Sequence, residues 1–441
     1  MKKLFRLLLI GLIAGITWKY LNDNDIDVGA KLNRLVIWGK KAYEQVVSSL
    51  DTESKNDRNV VSTSRSSNLP ANTRPVAIRK PVASSPYENA SIATKRIYTS
   101  NGTNENVVSL AEVNKPQGFD RLNNLEKVKL LTQKYSPDSW HLLMLYDQLP
   151  DNLTANSSTG GVINSPKTTS TFHYINEGPI LRMLSRMSTN VHEIAHGYFS
   201  LATFTYAREK GIFLNFENAE MLLFLNPEEQ YFLSFPRKKL FPSKELAARI
   251  PVSQRTFRYD TYIEGNTSTQ SQGALGLLDE LYAYYLGSKS NYDMLEAFQI
   301  IEGCYKKGLF TWIRNTQSTM SAFYEFDFFI REYLLWMHKQ YPAHYKELIS
   351  RTSFPEAYAA VYKAYGELVE DYLARIDTQM EKYNEMRPGT FHIEGDTFWY
   401  TYTNRGHKKG TSFLDADRKK LLPALNGNRY DAIGLDFLQF N

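Results

Sequence analysis

Residues 191–197 read Val191-His192-Glu193-Ile194-Ala195-His196-Gly197. On a helix, positions four apart share a face, so His192 and His196 can point their imidazoles at one ion. Glu193 follows the first histidine, where it can reach a water at that ion. The flanking sequence has a helical period. Ile180, Leu181, Leu184, Met187, Val191, Ile194, Ala195, Tyr198 and Leu201 recur mostly every three or four residues between Pro179 and Phe204. Ser188-Thr189-Asn190 can interrupt this run, and any of the three can cap a new turn. Zinc suits the pair, because it accepts neutral imidazole nitrogens and is content with four ligands. The competing structural reading is a buried helix with two hydrogen-bonded histidines and an exposed glutamate.

Two histidines leave zinc short of the three protein ligands usual at a catalytic site. The longer pattern His-Glu-x-x-His-x-x-Gly-x-x-His fails, because position 199 is Phe and position 202 is Ala. The stretch 276–285 is apolar and punctuated by Gly276, yet it carries the adjacent carboxylates Asp279 and Glu280. Burying such a pair is unfavourable unless it meets a cation or hydrogen-bond donors. The alternative is that both merely cap or solvate a helix.

His192-Glu193-x-x-His196 together with Glu280-x-x-Ala283 resembles the gluzincin group of zinc metallopeptidases. In that group a glutamate on a second helix completes the metal site, and the resemblance rests on these two short segments. It implies zinc (Zn2+) held by His192, His196 and Glu280, with Asp279 the alternative to Glu280. It implies Glu193 as the catalytic base that takes a proton from the attacking water and passes it to the leaving amine. The group often carries an aspartate four residues after the ligand glutamate, where this chain has Tyr284. The outer hydrogen-bond partner of the histidines therefore stays unassigned. A tyrosine or histidine commonly stabilises the oxyanion. Tyr259, Tyr262, Tyr284 and His338 are all candidates, and 29 tyrosines in the chain single none of them out.

The expected fold class is mainly α (α+β). A zincin-like domain at 116–386 would hold the motif helix, a small sheet and a helical C-terminal half, followed by a β-containing appendage at 387–441. Within it, 122–134 and 139–149 read as helices, 151–167 as a polar loop, and 168–175 as a strand before the motif helix. In related peptidases a strand beside that helix pairs with substrate backbone. Short strands are expected at 212–214 and 231–233, and a helix or strand at 219–225. Ser243 is placed to cap a helix over 244–249. Further helices are expected at 291–306, 317–340, 343–351 and 354–385, and two strands at 390–393 and 397–402.

The N-terminus reads as a targeting segment. Lys2, Lys3 and Arg6 precede an apolar run from Leu7 to Trp18, without an Ala-x-Ala cleavage site. Residues 1–20 are expected to be a signal peptide or signal anchor, and 21–50 a short amphipathic helix. Residues 51–115 change to Ser, Thr, Asn, Pro and Arg, as in a disordered linker. Basic residues before the apolar run would leave the bulk of the chain outside the cytoplasm, tethered to the membrane.

Net charge is +5 over 441 residues, and no basic segment interleaved with aromatics suggests a nucleic-acid groove. A single cysteine, Cys304, excludes an intramolecular disulfide and reads as a buried thiol. The expected function is an exported zinc-dependent peptidase acting on peptides, proteins or cell-wall peptide cross-links. A non-catalytic zinc-binding scaffold and a zinc hydrolase of another amide or ester are the alternatives.

Overall fold

The computed structural model describes residues 115–441 except 227–228, 303–304, 387–388, 395–396, 402–407, 413–414 and 439–441. The expected signal segment, the helix at 21–50, nearly all of the linker and Cys304 lie outside the described residues. No helix among the described residues is long and apolar enough to cross a membrane. The fold is mostly helical, with two antiparallel hairpins and one three-stranded antiparallel sheet.

Helix α1 (Asn124–Tyr135) starts on a capping box, in which Asn123 and Glu126 satisfy each other's backbone N–H groups at 2.9 Å. Helix α2 (Pro137–Gln148) starts on a proline, whose missing N–H costs nothing in the first turn. The expected polar loop at 151–167 is instead a hairpin of β1 (Asn152–Asn156) and β2 (Val162–Pro166). Leu153, Ala155 and Ile163 turn inward from a background of Asn, Ser and Thr, which hid the alternation. The expected strand at 168–175 is a series of bends and turns. The buried Asn190 amide captures its backbone, donating to the Thr171 carbonyl (3.0 Å) and accepting from the Tyr174 N–H (3.2 Å). Those groups are then unavailable to a sheet.

The break before the motif helix falls at Arg186, between α3 (Ile180–Ser185) and α4 (Met187–Lys210). Ser188-Thr189-Asn190 lie inside α4. The expected strand at 212–214 is reduced to a single bridge from Leu214 to Ser157. Strands β3 (Asn218–Asn226) and β4 (Glu229–Pro236) form the second hairpin. Ser243 opens a 3-10 turn, Ser243–Leu246, without capping it, because its hydroxyl donates to the Tyr262 carbonyl at 3.0 Å.

After the one-turn helix α5 (Tyr259–Tyr262) comes α6 (Gly273–Asp293), on which no residue is fully exposed. A helix apolar all round belongs in the middle of a core. Helices α7 (Leu295–Glu302), α8 (Tyr305–Met320), α9 (Ala322–Gln340), α10 (Pro342–Arg351) and α11 (Phe354–Met386) follow, and α6 packs against α4, α8, α9 and α11. The last sheet is β5 (Phe391–Glu394), β6 (Thr397–Thr401) and β7 (Lys408–Ser412), followed by α12 (Asp415–Leu425).

Candidate metal centre

Helices α4 and α6 approach closely where Gly287 of α6 meets the first turns of α4. A Cβ added at Gly287 would lie 2.8 Å from the Ser188 carbonyl oxygen and 3.4 Å from the His192 Cβ. This approach brings Glu280 to the histidine pair. His192 Nε2 and His196 Nε2 are 3.2 Å apart, and Glu280 Oε2 lies 3.6 Å and 3.5 Å from them. Among the described residues, only these three acid and histidine side chains gather tightly enough to hold a metal ion. The edges of a tetrahedron of ligands at about 2.0 Å from zinc are about 3.3 Å, so the three atoms match three corners of such a cage. Glu280 Oε2 is buried and accepts no hydrogen bond, whereas Oε1 accepts one from Thr269 Oγ1 at 2.9 Å. A buried carboxylate oxygen without a hydrogen bond of normal geometry is a group that a cation would satisfy.

Asp279, the other candidate ligand, faces the far side of His196. Its Oδ2 is 2.9 Å from His196 Nδ1. This bond places the proton on Nδ1 and turns the Nε2 lone pair toward His192 and Glu280. The neighbouring carboxylates thus divide the work, Glu280 closing the triangle and Asp279 orienting a histidine. The adjacency of two acids in an apolar stretch was the signal for this arrangement. Their roles depend on the angle at which α6 crosses α4.

The two imidazoles titrate in opposite directions. Burial pushes His192 well below the ordinary histidine value, and His196 and Arg258 push it further, while the Ala283 backbone acts the other way. For His196, burial also opposes the charged form, but Asp279 and Glu280 outweigh it and raise the ring well above that value. Burial lifts the Glu193 carboxyl above its usual range, with the His196 charge opposing and Glu280 adding to the rise. Glu193, next to His192 on α4 and coupled to His196 and Glu280, is only half-buried, so a polar molecule can reach it. Side-chain exposure increases from Glu280 (7%) through His192 (10%) to His196 (22%), so the cluster opens on the His196 side.

Of the four residues considered as oxyanion donors, two stand at this cluster. The Tyr284 ring packs edge-on against His192 at 4.4 Å between centroids, and its hydroxyl is 3.0 Å from that of Tyr262. Tyr259 donates to the Ala247 carbonyl and to Glu264, and His338 packs against Tyr345 of α10. Tyr174 lies near enough to Glu193 for the carboxylate to help raise its phenol pKa, after burial. Sequence reading also missed Arg258, whose buried guanidinium pairs with Glu325 and lies 4.4 Å from the centre of the Tyr284 ring. These positions are 67 residues apart, and nothing local links them.

The chain matches no protein-family model, no curated protein and no solved structure.

Proposed function

We propose that this protein is a zinc-dependent hydrolase of peptide bonds, of the gluzincin type, with His192, His196 and Glu280 as metal ligands and Glu193 as the general base. The observation that carries this reading is the triangle of two imidazole nitrogens and one donor-free carboxylate oxygen, with edges of 3.2–3.6 Å beside a half-buried glutamate. Zinc bound there would supply Lewis acidity, polarising the substrate carbonyl and making water a better nucleophile near neutral pH.

The chain's own groups account for the rest. Asp279 holds His196 in the tautomer that offers Nε2 inward. The Glu193 carboxylate accepts a proton from the water whose oxygen attacks the carbonyl carbon. It then delivers that proton to the amine nitrogen as the C–N bond breaks. Burial raises its pKa above the ordinary carboxylate value, the direction that favours a group that takes a proton and passes it on. A purely structural zinc site has no use for such a base and normally closes with a fourth protein ligand. We take the substrate to be a peptide or protein, cell-wall peptides included, and the N-terminal segment to be an export signal or membrane anchor.

Purified wild-type protein should contain about one zinc per chain and cleave members of a broad peptide library. Glu193→Gln should keep the metal and lose turnover by about 10²–10⁴-fold, whereas Glu280→Ala should lose the metal itself. Full hydrolysis by Glu193→Gln would sink the peptidase mechanism. A metal-loaded wild-type chain that cleaves no peptide would favour the scaffold or the non-peptide hydrolase.

A further inference from the structure

The two histidines are supported in different ways. His196 has a carboxylate on its outer nitrogen, while His192 has the Ala283 backbone nearby but no hydrogen bond of normal geometry on Nδ1. A metal-binding imidazole left to rotate loses part of its affinity, and the group that orients it is normally a hydrogen-bond acceptor. At His192 the neighbour is a ring. Tyr284 meets it edge-on, with an interplanar angle of 64° and 4.4 Å between centroids. Edge-to-face contact is a favoured arrangement for aromatic rings, and here it fixes the plane of the imidazole.

Tyr284 is itself held on three sides. Its hydroxyl shares a hydrogen bond with Tyr262 at 3.0 Å, its ring packs on Phe326 of α9 at 5.2 Å, and Arg258 lies 4.4 Å from the ring centre. Arg258 in turn is fixed. Its backbone N–H donates to Glu325 Oε1 at 2.9 Å, Nη1 pairs with Glu325 Oε2, and Nη2 donates to the Ser318 carbonyl at 2.6 Å. Both charged side chains are buried, so neither can leave without stranding the other. A buried ion pair with Glu325 of α9, joined by a backbone hydrogen bond to the same carboxylate, thus holds a cation over a tyrosine that packs on the imidazole.

We propose that Tyr284, clamped by Arg258 and Glu325, is the positioning residue for His192, serving that ring as Asp279 serves His196. The inference rests on the metal reading above. It gives position 284 a role, because the ring braces an imidazole whose one backbone neighbour, Ala283, lies outside normal hydrogen-bond geometry.

The test is zinc affinity, measured on the full chain by competition with a chromophoric chelator. Tyr284→Leu should weaken zinc binding by about 10–100-fold, the usual effect of removing an orienting partner. Tyr284→Met fills similar space without a ring and should show the same loss in a milder variant. Tyr284→Phe keeps the ring and should restore most of the affinity. Tyr345→Phe, which removes a buried hydrogen bond from α10 to the Ile433 carbonyl, should lower the melting temperature and leave zinc affinity unchanged. Folded Leu or Met variants that bind zinc like the wild type would overturn the brace alone, as would a Phe variant as weak as Leu. A wild-type chain that binds no zinc would remove the metal reading and the brace with it.

Discussion

At the scale of single residues, the hydrogen bond from His196 to Asp279 has two measurable consequences. Asp279→Asn removes the charge that fixes the tautomer, and zinc affinity should fall about 10–100-fold in a chelator competition. The second consequence concerns pH. His196 binds its proton more tightly in the folded, metal-free chain than in the unfolded one. That stabilisation is fully present below the ordinary value of 6.5 and is lost as pH rises through the raised folded value. His192 works in the opposite sense, because its folded value is depressed and stability falls as pH drops below 6.5. The pair therefore supports the metal-free fold best near pH 6.5. Urea unfolding with chelator present should show this optimum, and saturating zinc should abolish the decline on its alkaline side. A metal-free stability that is flat across this range would refute the opposed titrations. The histidine pair was legible in the sequence because an i, i+4 relation requires only a helix. Glu280 was legible as a carboxylate with no reason to be buried. The outer partners were not, because Asp279, Tyr284 and Arg258 acquire their roles from the crossing of α4 with α6 and from α9.

At the scale of elements, the site depends on how closely two helices approach. Gly287→Val would drive a branched side chain into the Ser188 carbonyl and the His192 Cβ. The expected result is a loss of about 1–3 kcal/mol, as for other overpacked cores, with weaker zinc binding because Glu280 is displaced from the histidines. Thermal unfolding of the metal-free protein together with a zinc titration checks both parts, and a Val variant matching the wild type in each would refute the argument. The long helices were readable from their apolar period, including α4, α9 and α11. Helix α8 was largely missed because Lys306-Lys307-Gly308 interrupts the pattern. The glycine is there because a Cβ would fall 2.6 Å from the Gln299 Cα of α7. The hairpin β1–β2 was read as a loop and the segment 168–175 as a strand for complementary reasons. A weak inward alternation paired in the first, while the Asn190 amide took over the backbone of the second.

At the scale of the whole described body, one continuous core extends from Phe119 to Leu438 and takes in the last sheet through Phe391, Phe398 and Tyr400. The C-terminal segment is fastened to α9. Arg429 and Tyr430 both donate to the buried Glu332 carboxylate, at 2.5 and 2.6 Å. Removing both donors in Arg429→Met/Tyr430→Phe leaves that carboxylate unsatisfied and should cost about 1–3 kcal/mol in urea unfolding. Zinc affinity should stay as in the wild type, and an unchanged unfolding midpoint would show that the fastening contributes nothing. The metal triangle joins position 196 to position 280, a separation of 84 residues. A ribosome making this chain exposes both imidazoles well before the acid that completes the cage. On the proposed metal reading, tight capture of an ion would thus be a late event in the life of the nascent chain, following synthesis and docking of the central helix.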